Sequence, residues 1–142
     1  MRNIDETCIG YMLLGYTVAA LFTSTDDKGE PLDKRFDHDQ VSDEWTSAAR
    51  ADVARFYHEN ESDLDEYTDE RTFNPDGNGF LTKTNFSKSW ECAGQDFWLS
   101  RNGHGTGFWD RFEVADEVRD RLQEAARDFG ESYLFEGDCE VG

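Results

Sequence analysis

The chain has 142 residues and a formal net charge of −18, with 32 Asp and Glu against 14 Lys and Arg. This length suits one domain with its own hydrophobic core, without a metal or disulfide to hold it together. The negative charge makes direct binding to nucleic acid or to a membrane surface unfavourable, because phosphate groups would be repelled. Three explanations of the acidity stay open: a solvated surface suited to a salty cytoplasm, mimicry of DNA, and binding to a basic protein partner.

The cysteines and the first apolar run indicate a cytoplasmic protein. Cys8, Cys92 and Cys139 are odd in number and lack metal-ligand spacing, so we expect reduced thiols. The apolar run from Ile9 to Phe22 has about fourteen residues, shorter than a membrane span, and no basic segment precedes it as in a signal peptide.

The first half of the chain predicts helices. Residues 5–22 read as a mostly buried helix, followed by a loop over 23–40 that is rich in turn formers. A second helix is expected to begin near Ser42, because apolar residues then recur at helical spacing through Phe56. The acidic stretch 59–71 is either a helical extension or a solvated loop.

From Phe80 onward, short aromatic runs broken by Gly, Asn and Ser predict strands. Alternation over 96–101, a turn over 102–105 and a return strand from Phe108 indicate a hairpin. A third helix over 115–129 follows, with Gly130 as its terminator, and 133–135 is a closing strand.

The predicted fold class is therefore α+β, with packed helices on a small antiparallel sheet in a single domain, 1–142. Its parts are a helical region over 1–72, a strand-rich aromatic region over 77–112, and a C-terminal helix and strand over 113–136.

The strand-rich region is also where the negative charge is missing. Residues 77–112 carry four basic and three acidic side chains, a balance of +1, so the rest of the chain carries −19. The segment holds eight of the twenty aromatic residues, namely Phe80, Phe86, Trp90, Phe97, Trp98, Phe108, Trp109 and Phe112. Burial of strands explains the aromatics, but it does not explain the arginines, asparagine and histidine around one turn.

The hairpin tip is the predicted ligand site. A Gly-rich turn exposes backbone N–H groups, arginine forks suit phosphate or carboxylate, and aromatic faces stack on bases. The predicted ligand-binding residues are Trp98, Arg101, Asn102, His104, Trp109 and Arg111. In the alternative interpretation the arginines bridge the protein's own acids and Asn-Gly only makes the turn. If the protein is an enzyme, His104 is the residue that would act as acid or base.

A metal site receives little support from the sequence. The segment Asn74 to Leu81 resembles half of a calcium loop, with Asp76 and Asn78 as weak ligand candidates. Its twelfth position is Asn85, where a bidentate glutamate is required, so a tight turn is the favoured interpretation. No cofactor is expected.

The sixteen residues from Asp96 to Arg111, DFWLSRNGHGTGFWDR, resemble the signature of a family of small, largely uncharacterised tailed-phage proteins. Two supporting pieces lie at 20–33 and 133–138 in the same order. The chain departs from the family at Ser100, where threonine is frequent, and in its last residues, which lack a basic, aromatic finish. The resemblance implies a phage or phage-like origin, and it supplies no catalytic residues.

Three functional hypotheses follow from the motif and the resemblance. The first is a phage-type host-takeover or anti-defence protein that sequesters a nucleotide-derived small molecule, as a homo-oligomer in the host cytoplasm. The second is an acidic DNA mimic or decoy that binds a host nucleic-acid-handling protein. The third is an enzyme that degrades a nucleotide signal.

Overall fold

The structure, a computed structural model, describes residues 3–73, 85–111 and 114–139. Its α-helices in these ranges are α1 (Asn3–Thr23), α2 (Asp43–Glu59), α3 (Glu61–Phe73), α4 (Asn85–Arg101) and α5 (Asp116–Arg127). Single turns of 3-10 helix lie in the connections. The buried residues of these helices form one hydrophobic cluster.

The helix predictions for the first half of the chain are confirmed. The Ser42 hydroxyl caps α2 by accepting a bond from the Trp45 backbone N–H at 3.2 Å, and two acids follow in the first turn. Val53 and Phe56 lie on the buried face of α2. The acidic stretch after Glu59 is neither an extension of α2 nor a loop, because α3 is a separate helix that begins at Glu61.

The centre of the fold is the crossing of α1 and α4. Two glycines allow the helix backbones to meet there: a Cβ at Gly15 would lie 1.9 Å from the Glu91 carbonyl oxygen, and one at Gly94 would lie 1.9 Å from the Met12 carbonyl oxygen. Each glycine thus faces a backbone carbonyl of the other helix. The arrangement is typical of close helix packing through small residues, in which weak Cα–H···O contacts form.

The predicted α+β fold is wrong. The described ranges contain no strand, only two isolated bridges, Thr25 to Pro31 and Val41 to Cys139, and the stretch read as the first arm of a hairpin belongs to α4. The prediction failed because α4 is buried on several sides. Helix α4 contacts α1, α3 and α5, and its buried positions include the polar residues Ser89, Asp96 and Ser100, which obscure a simple apolar stripe.

The C-terminal region contains the predicted third helix but not the closing strand. Helix α5 is followed by Gly130 with a φ of 75°, a left-handed conformation that ends helices. Residues 131–135 have no helix or bridge, and they pair with no strand in the described part of the chain. Leu134 is buried between two exposed aromatics, Tyr133 and Phe135.

Helix α1 is longer than its apolar core. The segment Asp5–Thr23 is long and apolar enough to cross a bilayer by length and composition, contrary to the estimate from the fourteen-residue run. Half of it is buried against the rest of the protein, and the core helix of a soluble protein passes the same test.

Candidate functional site

Arg101 is a buried structural arginine. Its Nε donates to the Gly130 carbonyl at 2.8 Å, and one Nη donates to the Asp52 carboxylate at 2.9 Å and to the Tyr16 hydroxyl at 3.0 Å. The other Nη donates to the Phe129 carbonyl at 3.2 Å. Arg101 therefore ties the end of α4 to α1, α2 and the end of α5, and its guanidinium points into the protein.

Arg111 is held in the same way by a buried carboxylate. Its Nε and one Nη donate to the two oxygens of Asp96 at 2.9 and 2.6 Å, which is a bidentate pair. The Tyr67 hydroxyl also donates to Asp96, which is only 1 % exposed. The pair fastens the segment after α4 to the helix itself, and it uses the planar fork predicted to hold a phosphate.

The Asn-Gly turn is a helix cap. Gly103 has a φ of 67°, its N–H donates to the Ser100 carbonyl at 3.4 Å, and the His104 N–H donates to the Leu99 carbonyl at 3.1 Å. This pattern is a Schellman motif, which satisfies the last carbonyls of α4. Asn-Gly suits this motif as well as the hairpin turn predicted from the sequence.

Asn102 fastens the C-terminal segment to the end of α4. Its side-chain amide donates to the Trp98 carbonyl at 3.0 Å, and its side-chain oxygen accepts from the Ser132 N–H at 2.9 Å. Trp98 is 2 % exposed, and its indole N–H donates to the Thr23 hydroxyl at 2.8 Å. Both residues therefore position backbone and neighbours, and Trp98 offers a ligand no free ring face.

Trp109 lies elsewhere on the surface. It is 46 % exposed in a 3-10 turn after α4, and Arg119 donates to its carbonyl at 2.8 Å. Neither Trp109, Arg101 nor Arg111 lines the pocket described next. The structure thus separates the predicted site into two groups of three residues.

The other three predicted residues share one surface pocket. It has a volume of about 360 Å³ and lies where the ends of α1 and α4 meet the segment 131–135. Its lining residues are Thr23, Ser24, Thr25, Trp98, Asn102, His104, Glu131, Ser132, Tyr133, Leu134 and Phe135. We call it the terminal pocket.

Two exposed aromatics mark the terminal pocket. Tyr133 and Phe135 are 59 % and 64 % exposed, and their ring centroids lie 6.0 Å apart with an interplanar angle of 26°. Leu134 between them is buried, so exposed and buried side chains alternate along the segment. Exposed aromatic area of this kind is typical of binding surfaces. The sequence signal was the alternation itself, which we interpreted as a strand.

The pocket is acidic rather than basic. Glu131 is the one carboxylate among its lining residues, and it accepts a 2.6 Å bond from the Tyr133 hydroxyl. This bond to a carboxylate raises the pKa of Tyr133. The lining residues include no lysine or arginine, so the pocket itself offers no fixed cation to a phosphate.

No cluster of three or more His, Cys, Asp or Glu able to hold a metal ion occurs among the described residues. The weak calcium candidates Asp76 and Asn78 lie outside those residues. No protein-family profile, curated protein or solved structure matches the chain.

Proposed function

We propose that this protein binds a small, flat, nucleoside-like molecule in the terminal pocket and sequesters it. The observation that carries the proposal is the pair of exposed, nearly parallel rings of Tyr133 and Phe135 beside a pocket lined with hydroxyls, an amide and an imidazole. An aromatic surface accepts any heterocyclic base, since every base has a π face, while the polar groups select by hydrogen bonds.

The polar groups of the pocket suit a sugar or a base edge. Ser24 and Thr25 line it and each carry a hydroxyl. The side-chain amide of Asn102 has two N–H groups, of which one donates to the Trp98 carbonyl and the second is left to donate to a ligand. The His104 side chain is half-buried and has no hydrogen-bond partner within the described residues. Three of the six residues predicted from the sequence thus stay in the proposal, as one wall of the pocket.

The ligand is uncharged or only weakly anionic. In the sequence-based hypothesis Arg101 and Arg111 hold phosphates, but Asp52 and Asp96 already neutralise these guanidinium groups. Glu131 would repel a phosphate placed near Tyr133. A nucleoside therefore fits better than a nucleotide with several phosphates.

The resemblance to phage proteins gives the activity its context: an accessory protein of host takeover or anti-defence that lowers the free concentration of a signal. Sequestration is favoured over degradation because the lining residues pair His104 with no cysteine and with no carboxylate in contact. Chromatography of the ligand after incubation separates the two, since sequestration returns the ligand unchanged.

The experiment is a thermal-shift screen of nucleosides, cyclic dinucleotides and ADP-ribose, followed by calorimetry of the hits. We expect a nucleoside to bind more tightly than its 5′-phosphates, and Phe135→Ala to weaken binding about tenfold, since one base stack is worth roughly 1–3 kcal/mol. Trp109→Ala is the matched control, because it removes another exposed aromatic that lies outside the pocket. Absence of a shift across the panel, or equal losses in both variants, would refute the proposal.

A second candidate function is the acidic decoy, which the surface of α3 and α5 favours. Arg121 on α5 donates to Asp63 at 2.8 and 2.7 Å, and its pKa is raised by that carboxylate and further by Glu117 and Glu66. One arginine is thus surrounded by acids from two neighbouring helices. The exposed acids on these helices include Asp65, Glu66, Asp69, Glu117, Asp120 and Glu124.

The decoy is tested by binding to a basic, DNA-binding host protein at increasing salt. Neutralising Glu66, Glu117 and Asp120 as Gln or Asn should weaken binding, whereas Phe135→Ala should leave it unchanged. A matched control neutralises the same number of exposed acids elsewhere, at Asp27, Asp33 and Asp39. Equal effects of the two triple variants would show attraction by net charge without a specific surface.

A further inference from the structure

A second candidate binding surface lies on α1, in a stretch of sequence that has no charged residue. From Thr7 to Thr25 the sequence has no Asp, Glu, Lys or Arg, although the chain as a whole carries −18. Part of this stretch faces solvent. Val18 and Phe22 are 38 % and 65 % exposed, Leu14 is half-buried, and Gly10 is exposed.

These four residues recur every fourth position, so they follow one oblique row on the helix surface. We call this row the α1 ridge; its members are Gly10, Leu14, Val18 and Phe22.

The α1 ridge has a hole at one end and a knob at the other. A groove of about 520 Å³ lies along Gly10, Tyr11 and Leu14, and a Cβ placed at Gly10 would meet nothing within 4 Å. Phe22 projects at the opposite end. The groove's one lining carboxylate, Glu6, is ion-paired with Arg50.

We propose that the α1 ridge is the interface of a homodimer in which two copies of α1 cross about a two-fold axis. Positions 10 and 22, and positions 14 and 18, are symmetric about position 16. A two-fold axis at that level therefore sets Phe22 of each copy over the Gly10 hole of the other, with Leu14 against Val18. The surface is complementary to itself, as a two-fold interface requires.

The symmetry of the α1 ridge points to a second copy as the occupant, and its lack of charge permits one. Two molecules of −18 repel one another over most of their surfaces, but the α1 ridge contributes no charge to this repulsion. Interlocked rows of every fourth residue are also the commonest helix-packing arrangement in globular proteins.

The test is sedimentation equilibrium of the full chain over a range of concentrations. We expect a monomer–dimer equilibrium whose Kd rises at least tenfold in Phe22→Ser, which removes the knob, and in Gly10→Leu, which fills the hole. Gly10→Leu has space in the monomer, so its fold is retained. Trp109→Ser is the control with an unchanged Kd, because it removes an exposed aromatic from another surface.

Disulfide trapping tests the register of the two copies. Mixing a Gly10→Cys variant with a Phe22→Cys variant should give a cross-linked heterodimer under mild oxidation, identified by mass spectrometry, whereas neither variant alone should give that cross-link. A monomer at all concentrations would overturn the proposal, as would a dimer that neither substitution affects. Flotation of a monomer with phosphatidylcholine vesicles, lost in Phe22→Ser, would overturn it in favour of a lipid surface. Ligand binding in the terminal pocket is a separate readout that none of these results decides.

Discussion

Replacing Gly15 by alanine tests the crossing of α1 and α4. The new Cβ would lie 1.9 Å from the Glu91 carbonyl oxygen, whereas ordinary contacts are 3.4–4 Å, so the helices would have to separate by more than an ångström. The obstacle is backbone and cannot rotate away, so the cost lies near the upper end of the usual overpacking range, about 3 kcal/mol. Alanine also stabilises a helix interior by about 1 kcal/mol relative to glycine, which offsets part of this cost. The expected net loss is about 2 kcal/mol.

The assay is urea unfolding followed by circular dichroism, at a protein concentration low enough to keep the chain monomeric. Gly10→Ala is the matched control in the same helix: its Cβ meets open space, so only the propensity gain of about 1 kcal/mol remains. The two substitutions should therefore move stability in opposite directions. Gly94→Ala should resemble Gly15→Ala. The close approach of α1 and α4 would be contradicted if Gly15→Ala were as stable as the unsubstituted protein. Equal changes in the free energy of unfolding of all three variants would also contradict it.

Three further predictions concern buried polar groups. Arg101→Met should lower the free energy of unfolding by about 1–3 kcal/mol, because it leaves the Tyr16 hydroxyl and two backbone carbonyls without their donor, whereas Asp52 is half-exposed and can be solvated; an unchanged urea midpoint would favour a ligand role. Asp96→Asn should cost about 3 kcal/mol by the same measurement because it leaves the Arg111 fork without its carboxylate, and an unchanged midpoint would contradict this. Burial raises the pKa of Cys8 to about 11, so its alkylation by iodoacetamide at pH 8 should be slow until the protein unfolds. Because the unfolded thiol loses its proton first, Cys8 should lower stability as pH rises from about 9 to 11, and a rise there would be inconsistent with burial.

The helices that could be predicted are those whose apolar residues show a helical period or form one long continuous run. Helix α5 exposes its acids and buries Val118, Leu122 and Ala126, so its period is visible in the sequence. Helix α2 shows both a period and a cap at Ser42. Helix α1 was recognised from its continuous apolar run.

Helix α4 could not be recognised in the same way. Over 96–101, six residues are too few to separate a period of 2 from one of 3.6, and its aromatics favour strands by propensity. The longer spacing of Trp90, Ala93, Phe97 and Arg101 fits a helix, and these residues are buried. Gly94 lies within α4 because the backbone of α1 approaches closely there.

Three of the predicted site residues line one pocket because they are neighbours in sequence. Trp98, Asn102 and His104 all lie at the C-terminal end of α4. The partners of Arg101 come from Asp52, Tyr16 and residues 129–130, so only tertiary structure reveals that its donors are used. In a chain of −18, many acids could be such partners, and the sequence does not select one.

Titration of the ¹⁵N-labelled protein with a nucleoside, read by amide chemical shifts, is the most direct test of the ligand pocket. Adenosine is the first probe. We expect saturable shifts confined to residues 23–25, 102–104 and 131–135, and their loss in Phe135→Ala but not in Trp109→Ala. Unchanged spectra at millimolar ligand across the four common nucleosides, or shifts centred away from these three segments, would contradict this expectation.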